Sequence, residues 1–86
     1  MEGEPKLILT PAHPFSPRQA EILEMRANGF SYKEVAREEY ISRETVKNHV
    51  SEAFDKVEAL TGERPVKDNW IGCFVRNRLL IIEEQE

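Results

Sequence analysis

The chain has 86 residues, 40% of them hydrophobic and 33% charged, with a formal net charge of −4 and a pI near 5.2. That length supports one small domain with one core. No apolar run is long enough to span a bilayer and the first residues lack a signal-peptide pattern, while the single cysteine, Cys73, excludes an intrachain disulfide and fits a reducing, cytoplasmic setting.

Lys6-Leu7-Ile8-Leu9-Thr10 is a short apolar run, and Pro11 and Pro14 stop a helix from running through it. Residues 1–14 therefore read as an extended arm lying across the domain. A second apolar run, Leu79-Leu80-Ile81-Ile82, closes the domain expected over 15–82, ahead of an acidic tail at 83–86. The two runs could pair as a β-ribbon, within one chain or across a dimer. His13 has no Cys or His at ligand spacing, so no metal is expected.

Ser16 can cap a first helix with Pro17 at its first position, running to about Asn28 before Gly29 stops it. Arg18 on this helix is expected to be solvated or paired with Glu21. Two further helix starts follow, eleven residues apart. Ser31 with Glu34 makes a capping box, and Ser42 can cap the next helix with Thr45 three residues on. The interval holds a helix of about two turns over Tyr32–Glu39, a tight turn, and a longer helix from Arg43 to Leu60 ended by Gly62. That is the outline of a helix-turn-helix.

Ala36 is small where the two helices cross, and Ile41 can plug the space under the turn. Val46, Val50, Ala53 or Phe54, Val57 and Leu60 recur at helical spacing as a buried stripe. Arg43, Lys47, Ser51 and Asp55, with Asn48 beside them, lie along the other side. Lys near a helix start can donate to guanine acceptors, and Asn can pair with both edge groups of adenine.

A fourth helix is expected over Lys67–Arg78, with Asp68 near its start and Arg76 and Arg78 near its end. Trp70, Cys73, Phe74 and Asn77 form one stripe, and Ile71 and Val75 form another. One stripe serves the core and the remaining apolar surface can serve a dimer, with Gly72 allowing close backbone approach. Cys73 has no base near it at helical spacing and reads as a buried thiol. With no phosphate-binding glycine loop, metal spacing, catalytic triad or repeat, no enzyme and no cofactor is expected.

Several residue groups from Phe15 to Val57 resemble the LuxR/GerE-type DNA-binding domain: Ser16-Pro17-Arg18, Glu21-Ile22-Leu23, Ala27, Gly29, Lys33-Glu34-Val35-Ala36, Ile41-Ser42, Thr45-Val46-Lys47, His49-Val50 and Lys56. Order and spacing match without a gap over about half the chain. The resemblance implies an all-α, four-helix helix-turn-helix fold, here with extended N- and C-terminal arms, whose third helix enters the major groove of double-stranded DNA. It implies base contacts by Lys47, Asn48 and Ser51, and backbone contacts by Arg43, Thr45, His49, Lys56 and Lys33. It also implies a homodimer through the C-terminal helix, for which Trp70, Phe74 and Asn77 are the candidate residues. The function implied is that of a stand-alone transcription regulator.

Two departures mark the match. Glu39 occupies a position that is usually apolar in the family, and residues 58–66 lengthen the passage to the last helix. The charge also runs against the usual basic footprint. Glu44, Glu52 and Asp55 flank the DNA-facing side and repel phosphates unless they point away. This leaves two alternatives: a sigma region-4-like module working with RNA polymerase, and an acidic protein-interaction module acting as an anti-regulator or heterodimer partner.

Overall fold

The computed structural model describes residues 6–83. Its elements run β1 (Lys6–Leu9), α1 (Pro17–Ala27), α2 (Tyr32–Glu39), α3 (Arg43–Thr61), α4 (Trp70–Arg76) and β2 (Leu80–Glu83). The four expected helices are present, and the all-α expectation needs one correction. The two terminal apolar runs form an antiparallel ribbon within the chain, with Leu7 opposite Ile82, Ile8 opposite Ile81 and Leu9 opposite Leu80. Lys6–Leu9 is thus part of the folded unit, and Glu83 ends β2. Residues 84–86 of the expected acidic tail lie outside the described residues.

Each of the first three helices starts on a serine whose hydroxyl accepts a backbone N–H of the first turn. At α2 the Glu34 amide donates to Ser31 Oγ (3.1 Å) and the Ser31 amide donates back to the Glu34 carboxylate (2.8 Å). At α1 the reciprocal partner of Ser16 is Gln19. Gln19 is the buried polar residue of the described core, and both polar atoms of its amide are bonded. Its Oε1 accepts from Ser16 N and from Lys56 Nζ (2.8 Å), and its Nε2 donates to Glu52 (3.2 Å), which ties the start of α1 to α3.

α2 ends in a left-handed residue, Tyr40 (φ 58°, ψ 43°), and the Ile41 amide reaches back to the Ala36 carbonyl at 3.0 Å. This is a Schellman-type stop with tyrosine at the position that glycine usually takes. Ile41 packs against the core beneath the turn, as its place in the sequence predicts. Glu39 does not turn out to solvent. Its side chain is only 10% exposed and pairs at 3.2 Å with Arg18, which also donates to the Glu39 carbonyl. Arg18 therefore pairs with Glu39 rather than Glu21.

Val46, Val50, Ala53, Phe54 and Val57 are buried along the inner side of α3. Leu60, expected to continue that stripe, is 63% exposed, because the helix has run past the edge of the core. Gly62 (φ 80°) ends α3 as expected. α4 is shorter than the sequence indicates: residues 67–69 form a turn, so Asp68 precedes the helix, and Asn77 caps its end. A Cβ at Gly72 would meet only the end of the Arg76 side chain, at 3.7 Å, so no close approach depends on this glycine.

Phe74 is fully buried, stacked on Phe15 (5.7 Å between centroids) and edge-on to Trp70 (5.0 Å) and Phe54 (6.1 Å). Leu9 and Leu80 extend this core under the ribbon.

Three stability measurements test these local arguments. Ser31→Ala removes a helix cap and is expected to cost about 1 kcal/mol in urea unfolding. The Ser31 amide, and then its hydroxyl, hold the Glu34 carboxylate below its ordinary value of 4.5. Stability from that pair is complete above the ordinary value and is lost as pH falls through the lower, folded-state one. Glu34→Gln should therefore lack this part of the acid loss when Tm is followed below pH 4.5. Tyr40 is 95% exposed, so Tyr40→Gly sacrifices no packing and relieves the left-handed strain. It should raise stability by about 0.5–1 kcal/mol, the strain relieved less the entropy cost of glycine.

Candidate nucleic-acid interface

α3 presents Arg43, Lys47, Asn48, Ser51 and Asp55 as an exposed outer side, opposite the buried valines. Among the described residues no hydrogen bond or ion pair holds the side chains of Arg43, Lys47, Asn48 or Ser51, so their polar groups remain open to an external partner. The helix start is capped: Ser42 Oγ accepts the Thr45 amide at 3.0 Å and lies 2.9 Å from Thr45 Oγ1. The Thr45 hydroxyl is thus engaged in the cap and sits half-buried.

A cleft of about 340 Å³ flanks this side of α3, between the end of α1, the start of α2 and the approach to α4. Leu23, Val50, Phe54 and Trp70 form its floor, and Arg26, Lys47, Arg64 and Lys67 line it. Tyr32 and Lys47 also line a second cleft with Arg43 and Glu44. Arg26 lies over the Tyr32 ring at 4.4 Å and donates to the Phe30 carbonyl at 2.6 Å. Lys33, on the first turn of α2 beside Tyr32, is exposed.

This geometry settles where the acids go. Glu52 is turned toward α1 by Gln19. Asp55 and Glu58 are both paired with Arg64, which comes back over the end of α3 after the Gly62 turn. Asp55 and then Glu58 raise the pKa of that guanidinium. Five cations (Arg26, Arg43, Lys47, Arg64, Lys67) thus face three acids (Glu44, Asp55, Glu58), which leaves +2 on this side of a chain whose net charge is −4.

Other expected contacts are placed differently. Lys56 bends to Gln19 at the start of α1 instead of lying along the outer side of α3. His49 is half-buried, and its Nδ1 is enclosed with no partner among the described residues. Trp70 and Phe74, the expected dimer residues, are buried in the chain's own core. Asn77 is half-buried and donates to Glu63 (3.1 Å) and to the Cys73 carbonyl (2.8 Å). Trp70 and Phe74 therefore offer no surface to a partner, and the Asn77 side-chain amide is already bonded within the chain. Arg26, Arg64 and Lys67 were not legible as part of the site, because they come from three segments that only the fold brings together. The one local hint was the Asp55 and Glu58 pair followed, past a glycine, by Arg64.

A short helix, a left-handed turn and a longer helix with a free donor-rich side make this a helix-turn-helix domain. The pattern of bacterial regulatory proteins of the luxR family matches residues 13–61, and the chain belongs to that family. The transcriptional regulatory protein DegU of Brevibacillus brevis is 32% identical over 65 residues, which is 71% of this chain and 28% of DegU. The chain thus spans little more than a quarter of that relative's length. No solved structure matches it. No helix among the described residues is long and apolar enough to cross a membrane.

Cys73 is 1% exposed, and burial, followed by the Glu63 carboxylate, pushes its thiol pKa up. A maleimide should label it slowly in the native protein at neutral pH and at the rate of a free thiol once denaturant unfolds the chain. Rapid native labelling, read by mass spectrometry, would contradict this placement.

Proposed function

We propose that this chain binds duplex DNA by laying the outer side of α3 in the major groove, and that it takes part in transcription regulation by doing so. The observation that carries the reading is the set of unpartnered side chains at the start of α3, framed by cations on an otherwise acidic molecule. In this reading Lys47, Asn48 and Ser51 meet base edges. Arg43 and Lys33 meet phosphates on either side of the groove. His49 and Thr45 are further phosphate partners. Lys56 is left to its bond with Gln19. Asp55 does not repel the backbone, because Arg64 answers its charge.

The test is fluorescence anisotropy of the 86-residue chain with a pool of duplexes and then with the selected site. Log affinity should fall by about 0.9 per log unit of salt for each phosphate neutralised. Lys47→Ala and Asn48→Ala should each cost about 1–3 kcal/mol on the selected site and relax its sequence preference. Lys33→Ala should weaken all duplexes alike and flatten the salt slope by roughly one phosphate. Absence of salt-sensitive binding, or indifference to Lys47→Ala, would overturn the reading.

A further inference from the structure

The cleft beside α3 has a make-up that a DNA backbone does not need. Its volume is about 340 Å³, at the small end of the roughly 300–1,000 Å³ of ligand pockets. No acid lines it, although the chain carries a net charge of −4. Two of its cations, Lys47 and Lys67, are exposed and have no bonded partner among the described residues. The other two, Arg26 and Arg64, use only Nη1 for their hydrogen bonds within the chain, and a guanidinium has further N–H donors to offer. Beneath this rim the floor is the outer edge of the core, apolar and partly aromatic. Phe54 and Trp70 stand 5.9 Å apart there, with their rings tilted by 42°. Both also pack on Phe74, so the floor is fixed before anything binds. Phosphates passing along α3 use the rim and leave such a floor unused. A pre-formed apolar floor under a few convergent polar groups is instead the make-up of a small-molecule site.

We infer that this cleft binds a compact aromatic anion, one or two rings bearing a carboxylate or phosphate, and that its occupant excludes DNA from α3. The ring body lies against Phe54 and Trp70, where offset or edge-on packing stabilises it beyond the area it buries. The anionic group takes charge-assisted bonds from Lys47 and Lys67 at the rim. Lys47 and Ser51 line the cleft and also belong to the side of α3 proposed to read bases, so one ligand denies them to the other. The exclusion rests on the DNA reading; occupancy of the cleft does not.

The test starts without DNA. β-Naphthoate is titrated into the isotope-labelled chain, with β-naphthamide as the uncharged isostere and acetate as the charge without a ring. Trp70 is the single tryptophan, so the one indole N–H signal in the NMR spectrum reports on the floor. β-Naphthoate should move that signal saturably, with a Kd of about 1 mM or tighter. β-Naphthamide should bind roughly tenfold more weakly, and acetate should leave the signal in place. Lys47→Ala combined with Lys67→Ala should weaken β-naphthoate by roughly tenfold or more and leave β-naphthamide unchanged. Both side chains are exposed and unbonded, so this variant keeps the fold. An unmoved indole signal, equal affinity for the charged and uncharged probes, or indifference to the double substitution would overturn the site. Anisotropy with the selected duplex then tests the exclusion. At about ten times its Kd, β-naphthoate should weaken duplex binding roughly tenfold relative to the same concentration of acetate. Undiminished duplex binding to a chain whose cleft is saturated would overturn the exclusion. If the chain binds no duplex at all, the DNA reading fails and takes the exclusion with it, while the indole titration alone decides the site.

Discussion

The burial of Phe74 is the constraint on which the remaining structure depends. Its ring is enclosed by Phe15 from the N-terminal segment, Phe54 from α3 and Trp70 from the start of α4. Three distant pieces of chain thus share one aromatic cluster, whose area dominates the energetics of so small a core. With the inner side of α3 committed to this cluster through Phe54, its polar side must face out. With Trp70 and Phe74 spent inside, that stripe of α4 holds the domain together. The same anchoring sets the ribbon in place, since β2 follows α4 after three residues and Leu80 joins the core.

Charge is arranged around that frame by a few specific bonds. Gln19 draws Lys56 and Glu52 of α3 toward the start of α1, and Arg64 folds back onto Asp55 and Glu58. Individually such exposed pairs stabilise little. Their consequence is the distribution of charge: two acids of α3 are answered by a guanidinium, and a third is turned aside. An acidic chain thereby presents a cationic rim beside α3. A different group of acids, Glu21, Glu24, Glu38 and Glu39, lines a cleft between α1 and the end of α2. There Glu24 is bound to the Leu9 amide and Glu39 to Arg18. Net charge alone is therefore a poor guide to what this surface attracts.

The turn between α2 and α3 carries a cost that its surroundings must hold. Tyr40 adopts a left-handed conformation that tyrosine disfavours, while its ring is almost wholly in solvent. The Ile41 to Ala36 bond on one side and the Ser42 cap on the other over-determine the geometry. Strain held this way fixes the angle at which α3 leaves α2, and hence the direction in which its polar side points.

The starts of the first three helices, the stop at Gly62, the inner stripe of α3 up to Val57 and the family were all legible in the amino-acid sequence. Each rests on residues within one or two turns of one another, where capping chemistry and 3.6-residue periodicity act directly. The pairing of the two terminal apolar runs was foreseeable as a possibility, since both are short, apolar and bounded by turn residues. Its location within one chain was decided by the placement of α1, whose Asn28 and Glu24 side chains hold β1. Four matters belonged to tertiary structure alone: the exposure of Leu60, the shortening of α4, the burial of Trp70 and Phe74 together, and the gathering of Arg26, Arg64 and Lys67 beside α3. A periodic pattern says that a side is apolar or charged, but only the packed arrangement says what it meets. In a core this small, one aromatic cluster uses apolar surface that a sequence pattern would assign to a partner.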